Sequence, residues 1–214
     1  MNNKKAVTDQ YQKSYVDLRF ERGGLFEFIT KVYHPQEVLY PGCSIHITPA
    51  FYFPYVVFVD LDPTAMAFFS NHEIILDLVK RRRNYQRSPY IRFIYQDFTK
   101  PLPIPHNQFD LLLALFTGGV SKACSSYLRK GGLLLTNDHQ NDAAEVIQDN
   151  DFDLIAMVQK HQGKYRFVEI ETGELLKIRG QTNQLKHYLR QINGGLEYIE
   201  NELYYVFRRI HLPC

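Results

Sequence analysis

Val38-Leu39-Tyr40-Pro41-Gly42-Cys43-Ser44-Ile45-His46 carries a short apolar segment into a loop at Gly42. Tyr55-Val56-Val57-Phe58-Val59-Asp60, rich in β-branched residues, stops at an acid. The two segments predict adjacent strands. The glycine lets backbone approach a ligand, and a carboxylate at the next strand's end can accept hydrogen bonds from a ribose. The outline is that of a nucleotide site. It departs from a glycine-rich loop at Cys43, Ser44, Ile45 and His46.

Outward from this stretch, strands and helices alternate. Tyr11, Tyr15, Leu18, Leu25, Phe28, Ile29 and Val32 recur at helical spacing through residues 1–36. Arg22-Gly23-Gly24 is expected to separate two helices there, with Pro35 ending the second. Asp62 precedes Pro63 and fits a helix N-cap. Met66, Phe69, Ile74, Leu78 and Val79 give one or two helices up to Arg83, and Tyr90–Tyr95 reads as a third strand. Phe109–Phe116 contains a continuous apolar run suited to a strand buried on both faces. Thr117-Gly118-Gly119 breaks it, and a helix is expected over 120–128. Lys130-Gly131-Gly132 reads as a tight turn before a strand over Leu133–Thr136. Phe152–Gln159 and Lys164–Ile170 predict a hairpin, Gln181–Ile192 a helix and Glu202–Arg209 a late strand.

Composition narrows the class. The chain has 214 residues, long enough for one sizeable core, and 45% hydrophobic content. A net charge of +2 gives little reason to expect nucleic acid or an anionic membrane as partner. Cys43, Cys124 and Cys214 have no metal-ligand spacing, and their odd number does not suggest a disulfide framework. No metal site is expected. The polar N-terminus lacks an apolar signal-peptide stretch, and no apolar run reaches the roughly 18 residues of a membrane span. A cytoplasmic location is the expectation.

Three segments, in this order and spacing, resemble the class I S-adenosylmethionine-dependent methyltransferases. The first is Val38–Asp60. The second is Ile91-Arg92-Phe93-Ile94-Tyr95-Gln96-Asp97-Phe98, a proline-containing loop, then Phe109-Asp110 and its leucines. The third, Leu128-Arg129-Lys130-Gly131-Gly132-Leu133, looks like that family's turn before its fifth strand. The resemblance covers roughly residues 24–140. It implies an α/β fold: a doubly wound, mostly parallel seven-stranded Rossmann-like sheet, with helices on both faces and an antiparallel C-terminal strand. One domain over 1–214 is expected, with N-terminal helices in 1–36, a cofactor-binding half in 37–140 and a C-terminal half in 141–214.

The same resemblance implies S-adenosyl-L-methionine as cofactor and a methyl acceptor, such as a small molecule, as partner. Asp60 would take the ribose hydroxyls, Leu61 would pack on the adenine, and Asp97 would accept the adenine amino group with Phe98 beside it. Backbone around Gly42 and Ser44 would line the methionine portion, and Phe116 would face the reacting methyl. Tyr40 stands where the family has an acid that helps hold the cofactor's ammonium, and Tyr40-Pro41-Gly42 looks like a variant opening. No residue is assigned as the catalytic base.

Other readings stand beside these. His46 is either a substrate-facing base or a loop histidine in place of a glycine; His139, after the fifth strand, leaves the same two readings open. Cys43 reads as packing, Asp110 as structural, and the tyrosines at 11, 15, 188, 204 and 205 as core and interface residues. Lys80-Arg81-Arg82-Arg83 with Arg87 is either a phosphate-binding patch or a solvated helix end. A catalytically inactive member of the fold, serving as a binding or interaction module, is the alternative function.

Overall fold

The computed structural model describes residues 2–161, 164–168 and 203–211. The helix expected over Gln181–Ile192, and Tyr188 with it, lies outside these residues. The chain divides into two compact units, Met1–Pro103 and Ile104–Cys214.

In the first unit, α1 (Asn2–Tyr11) runs into a π-helical turn over Gln12–Val16, followed by α2 (Gly23–Tyr33). Then come β1 (Glu37–Pro41), a 3₁₀ turn over Thr48–Phe51, β2 (Tyr55–Asp60), α3 (Pro63–Phe69), α4 (His72–Arg82) and β3 (Tyr90–Tyr95). The strands lie in the order β3-β2-β1 and all pair in parallel, with Tyr40 opposite Phe58 and Asp60 opposite Tyr95. Val38, Leu39, Val56, Val57, Phe58 and Val59 are fully or almost fully buried, as parallel strands between covering layers require. Asp62 caps α3 as expected, its carboxylate accepting the Thr64 amide at 2.8 Å.

Helical spacing places Leu18 inward with Tyr11 and Tyr15, yet Leu18 is 53% exposed. The reason is the π turn. The amides of Asp17 and Phe20 reach back five residues to the carbonyls of Gln12 and Tyr15, at 2.9 and 2.8 Å, and this rotates the apolar face by one residue. The expected break between two helices falls at Arg22, which caps α2 with a left-handed backbone, φ 55°, and Gly23 and Gly24 open the second helix. A partly buried network fastens this N-terminal segment. The Tyr11 hydroxyl lies 2.7 Å from Glu21 and 2.6 Å from Thr48, and Arg82 pairs with Glu21 at 2.7 Å.

The second unit holds β4 (Phe109–Ala114), α5 (Val120–Cys124), β5 (Leu128–Thr136), α6 (Asp142–Gln148), β6 (Phe152–His161), β7 (Lys164–Val168) and β8 (Leu203–Arg209). The helix expected over 120–128 is cut short by a 3₁₀ turn at Ser125–Tyr127. The strand order is β4-β5-β8-β6-β7. The β4/β5 pair is parallel, while β8 runs antiparallel to both β5 and β6. The β6–β7 hairpin forms as expected, with His161 opposite Lys164. The described residues thus hold eight strands where the fold reading implied seven.

Lys130-Gly131-Gly132 is not a turn ahead of the strand. It is a bulge inside β5. Phe109 pairs with Leu128 and Leu111 with Leu133, so several residues of β5 loop out against one of β4. Gly131 takes φ 78° there, a conformation that costs a side-chain-bearing residue.

Candidate functional site

The ends of β1, β2 and β3 build the candidate site of the first unit. Gly42 takes φ 64°, and its amide donates to the Val59 carbonyl at 2.8 Å. This folds the loop back across the end of β2. Ser44, standing where the resemblance expects a glycine, adopts φ 48°. The loop therefore keeps glycine-type backbone at this position without the glycine, at a cost of about 1 kcal/mol.

Asp60 fixes the loop in place. One carboxylate oxygen accepts the Ser44 amide at 2.7 Å and the other the Asp62 amide at 2.8 Å. A carboxylate has about four acceptor positions, so these bonds orient Asp60 and leave capacity for a diol. Leu61, immediately after it, is 55% exposed, an apolar surface next to the acid. On the neighbouring strand the Gln96 amide donates to the Asp60 carbonyl at 3.1 Å, which ties the ends of β2 and β3 together.

Asp97 follows, but one of its oxygens accepts both the amide and the hydroxyl of Thr99, at 2.9 and 2.7 Å. These bonds hold its pKa below the usual carboxylate range. Asp97 thus closes a local turn. Phe98 beside it is half-buried.

Tyr40 does not stand at this site as an open polar group. It is 3% exposed, and its hydroxyl lies 3.0 Å from His46 Nδ1. His46 Nε2 lies 3.1 Å from the Glu21 carbonyl, which can only accept. His46 is therefore the Nε2–H tautomer, and the Tyr40 hydroxyl donates to Nδ1. Burial, with the Arg22 charge adding to it, pushes the His46 pKa down to about 3. A neutral, 2% exposed ring with both nitrogens engaged is not a substrate-facing base. Cys43 is buried packing as expected, and burial holds its thiol protonated.

His46 makes stability depend on pH. Its pKa is near 6.5 when unfolded and about 3 when folded, so the unfolded chain binds the extra proton between those values. The stability it contributes is present above pH 6.5 and is lost as pH falls, approaching about 1.4 kcal/mol per unit. Urea unfolding at pH 7.5 and 5.5 should show this loss, and His46→Gln should reduce it.

Two residues that sequence reasoning did not assign to the site come from the N-terminal segment. Tyr15 stacks on His46 with ring centroids 4.5 Å apart and an interplanar angle of 15°. Arg22 follows Glu21 and donates to the Phe20 carbonyl at 2.8 Å. Its charge bears on Tyr15, Tyr40 and His46. A π turn and a left-handed arginine, neither marked in sequence, bring them there.

The basic run is a brace. Arg81 pairs with Asp77 at 2.7 Å, and Arg83 donates to the Arg87 carbonyl at 2.9 Å. Arg82, bound to Glu21, lies 4.3 Å from the Phe51 ring centroid.

In the second unit, Phe116 follows β4 and is 39% exposed. It has φ 58°, and its amide donates to Asn137 Oδ1 at 2.9 Å. His139 lies 6.4 Å from it, ring to ring. Asp110 is structural as expected, paired with Arg129 at 2.8 Å.

No family model and no curated protein matches the chain. Solved structures do. A methyltransferase from Thermotoga maritima, named as a possible histamine N-methyltransferase, matches with a TM-score of 0.53 and 11% identity, over 95% of this chain and 96% of its own. A methyltransferase from Geobacter sulfurreducens matches with a TM-score of 0.52 and 12% identity, over 99% and 91%. The chain has the fold of the class I S-adenosylmethionine-dependent methyltransferases. The [4+2]-cyclase SpnF matches it too, with a TM-score of 0.51 and 10% identity, over 91% of this chain and 82% of its own. No helix among the described residues is long and apolar enough to cross a membrane.

Proposed function

We propose that the chain binds S-adenosylmethionine across the ends of β1, β2 and β3 and transfers its methyl group to an acceptor. The observation that carries this reading is Asp60. Its carboxylate is held at the end of β2 by the Ser44 and Asp62 amides, with exposed Leu61 beside it. That pairing suits a ribose diol and the face of an adenine. Gly42, with φ 64°, lets backbone approach the ligand.

When bound, the cofactor supplies an activated methyl group, and the chain's part is to orient the reactants and exclude water. Asp97, with one oxygen already accepting Thr99, keeps its other oxygen for the adenine amino group.

A second reading is a non-catalytic binding module of the same fold. The neutral Tyr40–His46 pair, standing where the family has an acid, favours it. A cyclase among the structural neighbours also fits the rule that one fold hosts several chemistries.

Calorimetric titration of the full chain with S-adenosylhomocysteine tests the first reading. Saturable one-to-one binding is expected. No binding at about millimolar ligand, where even −4 kcal/mol would register, sinks it.

A further inference from the structure

β3 pairs in parallel with β2, and among the described residues no strand pairs with its other edge. The register shows which backbone groups face out there. The Tyr90 amide donates to the Pro54 carbonyl at 2.8 Å and the Gln96 amide to the Asp60 carbonyl at 3.1 Å, so the even-numbered residues turn to β2. Successive residues of a strand alternate, which leaves the N–H and C=O of Ile91, Phe93 and Tyr95 facing outward. Among the described residues these groups have no backbone partner.

A free edge is normally blunted by proline, a bulge or a projecting charge. β3 reads Tyr-Ile-Arg-Phe-Ile-Tyr, without proline, and its register with β2 is unbroken from Tyr90 to Tyr95. Its charged residue, Arg92, donates to the Pro103 carbonyl at 3.2 Å. Phe93 stacks on Phe69 of α3, with ring centroids 4.4 Å apart. Tyr90 and Tyr95, at the two ends, are each 46% exposed. The edge is thus regular, apolar and flanked by aromatic rings.

Its pattern is complementary to itself. In an antiparallel pair, opposite residues must both face the partner or both face away. A two-fold axis at Phe93 sets Phe93 opposite Phe93 and Ile91 opposite Tyr95 of a second copy, which pairs every outward group. An axis at Arg92 or Ile94 carries one of the outward residues past the strand's end. With the axis at Phe93, Arg92 lies opposite Ile94, so no like charges face each other directly, and the β-branched and aromatic side chains meet in pairs. The strand's two ends also differ in charge. Arg83 and Arg87 precede it, Arg83 donating to the Arg87 carbonyl at 2.9 Å. Asp97 follows it, and Asp62 follows the neighbouring end of β2, with Lys100 as the cation there. Antiparallel pairing brings the basic end of one copy to the acidic end of the other, twice over, whereas parallel pairing would set like beside like. We propose that the chain forms a two-fold dimer by pairing β3 with β3 of a second copy, centred on Phe93. This holds whatever ligand the Gly42–Asp60 site takes.

Analytical ultracentrifugation of the full chain at pH 7.5, over about 1–200 µM, tests it. A strand pair is a small interface, so a reversible dimer with a Kd of about 1–100 µM is expected. Tyr95→Lys should weaken that dimer about tenfold or more, because it sets a solvated charge opposite Ile91, while Tyr95→Phe should preserve it. Arg87→Glu should weaken it about threefold or more at low salt, an effect that fades at about 0.5 M salt. Both side chains are exposed, so urea unfolding of the dilute variants should match that of the unaltered chain. A chain that stays monomeric over the whole range overturns the proposal. A dimer that neither Tyr95→Lys nor Arg87→Glu weakens uses another surface and overturns it as well.

Discussion

Replacing Asp60 with alanine is expected to weaken S-adenosylhomocysteine binding by about a hundredfold or more and to lower stability by about 2 kcal/mol. Both effects come from one carboxylate. It accepts the Ser44 and Asp62 amides, at 2.7 and 2.8 Å. Without it, the loop after β1 loses the anchor that holds Ser44 at φ 48°, a backbone conformation unfavourable for serine. The ligand loses its diol partner in the same step. Asp60→Asn separates the two roles. It retains one acceptor for the loop and recovers part of the stability, while the ribose contact loses its charge. Urea unfolding measures the first effect and calorimetric titration the second. Asp97→Ala, by contrast, should weaken binding less than about tenfold, because one of its oxygens already serves the Thr99 turn.

The largest loss of stability is expected from Arg209→Leu. Arg209 ends β8 and is 2% exposed, a rare setting for a guanidinium. Its Nη1 donates to the Ser125 and Leu128 carbonyls, and its Nε donates to the His211 carbonyl at 2.9 Å. These bonds tie β8 to the turn that opens β5. Leucine fills much of the space but leaves acceptors buried with no donor. The cost is about 3–5 kcal/mol, read as a lower urea midpoint. Arg209→Lys should recover only part of it, since one ammonium cannot reproduce the planar fork.

What was legible in the sequence follows from what sets each feature. The parallel strands were readable because strands buried on both faces must be continuous apolar runs, as at Tyr55–Asp60 and Phe109–Ala114. Asp62 was readable as a cap because proline follows it. That Gly42 turns the chain after a strand and that Asp60 ends one were readable because strand ends and the loops leaving them are local. The part played by Tyr15 and Arg22 was not legible. Helical periodicity assumes a constant turn, and the five-residue reach of the Asp17 and Phe20 amides breaks it. Nor does an arginine advertise the left-handed φ of 55° found at Arg22. Gly131 was marked correctly as special and assigned to the wrong feature, because a turn and a bulge ask the same backbone of glycine.

The departures from a glycine-rich loop also take on a physical meaning. Ser44 keeps the backbone that a glycine would have taken. His46 turns into the unit, between Tyr40, Tyr15 and the Glu21 carbonyl. A neutral buried pair, Tyr40 and His46, stands at the end of β1, and Tyr15 stacks on its histidine.

The most direct test is a crystal structure of the full chain with S-adenosylhomocysteine bound. The account predicts the ribose hydroxyls at about 2.6–3.0 Å from the Asp60 carboxylate and the adenine against Leu61 and Phe98. A ligand bound away from Asp60, or an Asp60 carboxylate that contacts only the Ser44 and Asp62 amides while the nucleoside lies elsewhere, would contradict it.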